Sequence, residues 1–125
     1  MWTWKQEAGE LWRDGEFVVK GYSGKGRGKN NPALEGMAGI GPIPCGRWKM
    51  KDIYDSDNVG PRAIVLWSLD GKPDDRDERT GRGAFRIHGD SIRAPGTASK
   101  GCIILPRITR LRMWASGDRI IEVVP

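Results

Sequence analysis

The chain has one histidine, His88, and two cysteines, Cys45 and Cys102, in 125 residues. A lone imidazole and two thiols without a C-x-x-C pair cannot assemble a usual zinc site, so no metal is expected. Two cysteines do not make a disulfide-rich scaffold, and sequence alone does not tell whether their Cα atoms approach closely enough to pair. No stretch reaches the length of a membrane span. The opening Met-Trp-Thr-Trp-Lys-Gln-Glu lacks a basic region followed by an apolar run, so no secretory signal peptide is expected. The expectation is a chain made as a soluble cytoplasmic protein, which needs a carrier if it acts elsewhere. Internal repeats and heptads are also missing.

Glycine, proline and tryptophan are plentiful, at 18, 8 and 6 residues, which disfavours a helical bundle and favours strands joined by tight turns around a tryptophan-rich core. The length suits one domain over residues 1–125. Net charge is +5, and between Lys100 and Arg119 five basic residues (Lys100, Arg107, Arg110, Arg112 and Arg119) are set against Asp118 alone. That balance favours an anionic partner, whether nucleic acid, membrane surface or acidic wall polymer.

Alternation of Trp2 and Trp4 with Thr3 and Lys5 predicts a strand, and Asp14-Gly15 predicts a hairpin turn before Glu16–Lys20. Residues 21–32, dense in glycine and cation, predict a loop. Arg47–Tyr54 alternates as a half-buried strand, Ala63–Leu69 reads as a central strand, and 70–83 as an exposed connection. Ala84–His88 predicts a short strand ending at the histidine. Pro106 predicts a first helical position, with Ile108, Leu111 and Trp114 at helical spacing and Gly117 as the stop. Arg107, Arg110 and Arg112 then form a solvated helix face, and Ile120–Val124 closes the chain as a strand. The sum is a mainly-β domain with one short helix after Cys102.

His88 and Cys102 are the residues with chemistry to offer. A thiol needs a base to become a strong nucleophile near neutral pH, and imidazole suits that role. Any Cys-His catalysis in this chain must use His88. Gly101 leaves the path to the sulfur open, and the amides of Gly101 and Cys102 are candidate oxyanion donors. The predicted helix puts dipole potential near the thiol, and Lys100 adds charge. Gly89 can hold the second ring nitrogen. The competing reading makes His88 a structural hydrogen-bonding residue and Cys102 an apolar filler. Cys45, between Pro44 and Gly46, reads as a packed turn residue.

The pattern His88-Gly … Ser99-Lys-Gly-Cys-Ile103 resembles the signature of YkuD-like L,D-transpeptidases. Gly21-Tyr-Ser-Gly-Lys-Gly26, Asn30-Asn-Pro32, Gly41-Pro-Ile-Pro-Cys-Gly46, His88-Gly-Asp-Ser91 and Ala98–Ile103 together look like the small L,D-transpeptidase-type effectors of type VI secretion systems. The resemblance implies an L,D-transpeptidase-like β-sandwich or barrel, with Cys102 as nucleophile, His88 as base and the Gly89 carbonyl orienting the imidazole. It implies acyl chemistry on peptidoglycan tetrapeptide stems: crosslinking, D-amino-acid exchange or L,D-carboxypeptidase cleavage, without a cofactor. Lys100 stands where many members carry a second histidine. Ser99, Lys100, Gly101, Tyr22, Asp90 and Ser91 are candidates for oxyanion or substrate contact, although Asp90 and Ser91 equally suit local backbone bonding. An effector implies action in the periplasm of a target bacterium, a cognate immunity protein and secretion-system partners.

A non-catalytic basic domain that binds cell wall or nucleic acid is the alternative. Against nucleic acid, the aromatics fall in core strands instead of alternating with exposed cations, and no binding motif is present. Papain-like thiol hydrolases place cysteine before histidine, the reverse of the order here.

Overall fold

The computed structural model describes all residues from Met1 to Pro125. The chain opens as a meander of β1 (Trp2–Lys5), β2 (Glu10–Arg13) and β3 (Glu16–Lys20). Arg13 pairs with Glu16 across Asp14-Gly15, and both turn residues have positive φ, at 48° and 85°. This is the mirror-image turn whose twist suits a two-residue hairpin. Residue 21 alone separates β3 from β4 (Tyr22–Ser23). The segment after it holds two short 3-10 turns, at Gly26–Gly28 and Pro32–Leu34, and no longer element before Gly46.

A long hairpin follows, β5 (Gly46–Ser56) against β6 (Gly60–Ser68), and then β7 (Arg86–His88), β8 (Ile103–Ile104), α1 (Arg107–Ala115) and β9 (Ile120–Val124). All nine strands belong to one sheet, ordered β3-β2-β1-β9-β5-β6-β7-β8-β4. Strand exceeds helix by 38% to 12%, so the fold is mainly β. The two edge strands, β3 and β4, are consecutive in the chain. The sheet must therefore curl until its edges meet at Gly21, which gives it a barrel-like form. Gly21 has no room for a side chain there, because a Cβ would run into the carbonyl oxygen of Ile104 and the Leu105 side chain.

Alternation fills the interior. Trp2 and Trp4 of β1, Trp48 and Met50 of β5, Ile64 and Leu66 of β6, and Ile121 and Val123 of β9 are buried in one apolar cluster. Trp48 packs edge-to-face on Phe85 with centroids 5.2 Å apart, a favoured geometry for aromatic pairs. No helix is long and apolar enough to cross a membrane.

The helix differs from its prediction in phase and in start. Pro106 is the N-cap and Arg107 the first helical residue. Its buried residues are Thr109, Arg110 and Met113, whereas Ile108 and Leu111 are exposed. Met113 reaches the core and sets the rotation of the helix against β6 and β7. That rotation carries Arg110 inward, so the three arginines do not form one solvated face.

Candidate active site

Strands β7 and β8 run parallel and bring the histidine and the cysteine together. Ile87 pairs with Ile103 and His88 with Ile104, and the Leu105 amide donates to the His88 carbonyl at 3.0 Å. One step back along this ladder Arg86 lies opposite Cys102, and its amide donates to the Cys102 sulfur at 3.4 Å. Residues two apart on a strand share a face, so His88 and Cys102 are diagonal neighbours on one side of the sheet. Both line a cleft of about 460 Å³, together with Tyr54, Asn58, Arg86 and Lys100.

The imidazole is fixed at one nitrogen. Its Nδ1 lies 2.8 Å from the Gly89 carbonyl oxygen. A carbonyl only accepts, so the Nδ1 of neutral His88 carries the hydrogen and Nε2 keeps its lone pair. Burial pushes the His88 pKa below its ordinary value. The Gly89 carbonyl opposes that shift, and the charges of Arg110 and Arg86 reinforce it. Burial pushes the Cys102 thiol the other way, upward, against the Arg86 amide and the charges of Arg86 and Arg82. Both shifts favour the neutral thiol–imidazole pair over a thiolate–imidazolium pair. The helix dipole gives the sulfur little help, because β8, Leu105 and Pro106 intervene. They amount to roughly 15 Å of extended chain, and the dipole effect fades within the first turn.

The loop before Cys102 is tied down by Ser99, which is 1% exposed. Its hydroxyl donates to the Cys102 carbonyl at 2.6 Å and accepts from the amides of Gly24 and Gly101 at 2.8 and 3.0 Å. A hydroxyl has no further capacity, so Ser99 holds the loop. The Gly101 amide is thereby committed, whereas the Cys102 amide donates to no protein carbonyl or side-chain oxygen. Gly101 itself has φ +145°, and its carbonyl accepts from Ser23 Oγ at 2.6 Å. The Lys100 side chain is exposed at the rim of the cleft.

Arg82 escaped the sequence reading because it lies in a charged stretch that suggests an exposed loop. It is buried, and its guanidinium donates to the carbonyls of Glu35, Gly41, Pro42 and Lys100 at 2.6–3.2 Å. One side chain thus joins the 35–42 segment to the cysteine loop. Arg86 had a legible signal, since it lies two residues before His88 on the same strand and so on the same face. Its Nε donates to the Tyr54 hydroxyl at 2.7 Å.

Tyr22, Asp90 and Ser91 meet one another more than they meet the sulfur. The Tyr22 hydroxyl donates to Asp90 at 2.6 Å and accepts from the Ala98 amide at 2.9 Å. Asp90 also accepts from the amides of Ser91 and Gly96. Ser91 Oγ accepts from the Ala94 amide at 3.0 Å. The three pin the 90–98 loop that borders the cleft. Burial and the neighbouring Asp90 push the Tyr22 pKa up to about 12.

Cys45 is unpaired, as is Cys102. Its thiol donates to Gln6 Oε1 at 3.3 Å, and burial with the nearby Glu35 charge pushes its pKa up to about 11. That environment suits a packed, unreactive thiol. No group of three or more histidine, cysteine or acidic side chains is placed to hold a metal ion.

The fold and cleft define a class: small mainly-β domains whose curled sheet carries a free cysteine and a tautomer-fixed histidine on one cleft. Residues 18–122 match the model of the Tlde1 domain, and the chain belongs to that family. The match runs from β3 to β9 and includes every residue of the cleft. The family is one of type VI secretion L,D-transpeptidase effectors, an enzyme-associated group. No curated protein matches the chain.

Proposed function

We propose that the chain, acting as one catalytic unit over residues 1–125, is a cysteine enzyme that performs acyl transfer on peptidoglycan tetrapeptide stems. The observation that carries this reading is the diagonal pairing of His88 and Cys102 across β7 and β8, with Nδ1 held by the Gly89 carbonyl. His88 Nε2 takes the thiol proton as the sulfur attacks the carbonyl at the L-centre of diaminopimelate. The new C–S bond leaves a negative oxygen, and the free Cys102 amide is the donor available to it. Collapse breaks the C–N bond to terminal D-alanine, whose nitrogen receives the proton from His88. The thioester left on Cys102 is attacked by an amine, giving a crosslink or an exchanged D-amino acid, or by water, giving the tripeptide. His88 takes the incoming proton in that half-reaction and returns it to the sulfur.

The wide cleft and the neutral resting pair fit this sequence of steps, because the base is unprotonated and ready near neutral pH. An antibacterial role in the periplasm of a target cell, with an immunity protein as counterpart, follows from the family reading. Incubation with defined tetrapeptide muropeptides, with products read by mass, tests the chemistry. Tripeptide, crosslinked dimer or exchanged stems are expected from the unaltered chain and none from Cys102→Ala. Stems left intact by both proteins overturn the proposal.

A further inference from the structure

The guanidinium of Arg110 is an unexplained charge. The residue is 3% exposed, and its Nε and Nη1 are buried without any hydrogen-bond partner. No carboxylate of the chain acts on it, and the one charge that perturbs it is the like charge of Arg107. A buried cation normally has a counter-charge or a set of carbonyl acceptors, as Arg82 does, because desolvation without compensation is costly. Arg110 has neither.

Its position suggests what it lacks. The guanidinium lies directly against Gly89, where a Cβ would come within 3.3 Å of Nη2 and 3.4 Å of Nη1. Gly89 is the residue whose carbonyl holds His88. Arg110 also lines a second cleft of about 700 Å³, with Arg93 and Arg107 as further cations. This cleft shares Asn58, Val59, His88 and Ala98 with the cleft that contains Cys102. The two are arms of one groove that meet at the histidine. Asp90 lines the Arg110 arm, but its oxygens already accept from Tyr22, Ser91 and Gly96.

We infer that Arg110 is a substrate-binding residue, whose guanidinium receives a carboxylate of the peptide held in the groove while Cys102 attacks a carbonyl in the other arm. The inference rests on the proposed stem-peptide chemistry and adds a specificity element to it. Nε and Nη1 are enclosed, so Nη2 is the nitrogen that meets the carboxylate, with the uncompensated charge of the whole guanidinium behind it. The absent side chain of Gly89 lets the guanidinium lie flat beneath the backbone at that point. Binding also has an electrostatic consequence. His88 is held down by Arg110 and Arg86 and raised by Asp90, so a carboxylate on Arg110 cancels one depressing charge and makes the base stronger once substrate is bound.

The stem carries several carboxylates, and selective amidation separates them. Binding of tetrapeptide stems amidated one carboxylate at a time is measured by calorimetry with the full chain carrying Cys102→Ala, with and without Arg110→Gln. One amidation is expected to weaken binding by about 10- to 100-fold where Arg110 is present and to have little effect in Arg110→Gln. Equal losses in both proteins, or no loss from any amidation where Arg110 is present, overturn the inference. A second measurement is independent of turnover and of how the variant folds. The Arg110 Nε–H resonance of the unaltered chain is followed during titration with N-acetyl-D-alanine and with its amide. A shift with the acid alone is expected, and equal responses or none count against the site. Stems that remain unprocessed while this resonance still responds to the acid sink the enzymatic reading and leave the carboxylate site standing.

Discussion

Gly101→Ala is the sharpest stability test of the cysteine loop. A Cβ at this position would lie 2.6 Å from Arg82 Nη2 and 2.7 Å from the Phe85 ring, on a backbone with φ +145°. Neither neighbour can yield cheaply. Arg82 is held by four carbonyls, and Phe85 is wedged edge-on against Trp48. Forcing a non-glycine residue into this backbone region costs about 1–3 kcal/mol. Displacing Nη2 from the carbonyls of Gly41 and Lys100 adds about 1.5–3 kcal/mol, since charge-assisted bonds are lost from a buried site. The total is about 2.5–6 kcal/mol, a large share of the roughly 5–15 kcal/mol that holds a domain folded. For a chain of this size it corresponds to a fall in Tm of roughly 10–20 °C. Thermal and urea denaturation followed by tryptophan fluorescence measure it, with the exposed Lys100→Ala as the control expected to stay within about 0.5 kcal/mol. A Gly101→Ala protein as stable as that control would refute the argument that the loop is closed over Arg82.

The same geometry has further consequences. Arg82→Met leaves the buried carbonyls of Gly41 and Pro42 without donors and is expected to destabilise by about 2–4 kcal/mol. It also removes a cation near the sulfur, so the alkylation profile of Cys102 should move to higher pH; an unmoved profile would separate Arg82 from the thiol. The acid limb of kcat/KM is expected below the ordinary imidazole value of 6.5, because His88 is depressed, and iodoacetamide reactivity of Cys102 is expected to rise only above the ordinary thiol value of 9.0. Stability should follow the same sign: the His88 contribution is complete above 6.5 and is lost as pH falls through the lower folded value, since the unfolded chain binds the proton first. Urea midpoints of the unaltered chain and His88→Gln that fall in parallel between neutral and acid pH would contradict this. Cys45→Ser is expected to leave stem processing intact, with mass spectrometry after alkylation near neutral pH finding Cys45 unmodified in the unaltered chain.

Much of the strand content was legible because its signals are local. Asp14-Gly15 specifies its turn through positive φ at both residues, and the spacing of Trp2 and Trp4 specifies an inward face. Arg47–Tyr54 and Ala63–Leu69 announce the long hairpin by alternation and continuous apolarity. The helix was legible in extent but not in phase. Ile108, Leu111 and Trp114 offered the more apolar stripe, yet Met113 packs into the core and turns Ile108 and Leu111 outward. Hydrophobic periodicity identifies a helix, but the shape of the surface beneath it selects which face is buried.

The sequence by itself determined that only His88 could serve Cys102 as a histidine base and that the fold would be mainly β. Those conclusions depend on residue identity and on neighbours a few positions away. Tertiary structure decided the rest. Parallel pairing of β7 with β8 placed Arg86 beside the sulfur and His88 diagonal to it. Closure of the sheet at Gly21 set Tyr22 against Asp90, and the helix rotation buried Arg110 under Gly89. Long-range contacts of this kind depend on how the sheet curls and what its interior can accommodate. Arg82 and Arg110 therefore read as surface charges in one dimension and are interior cations in three.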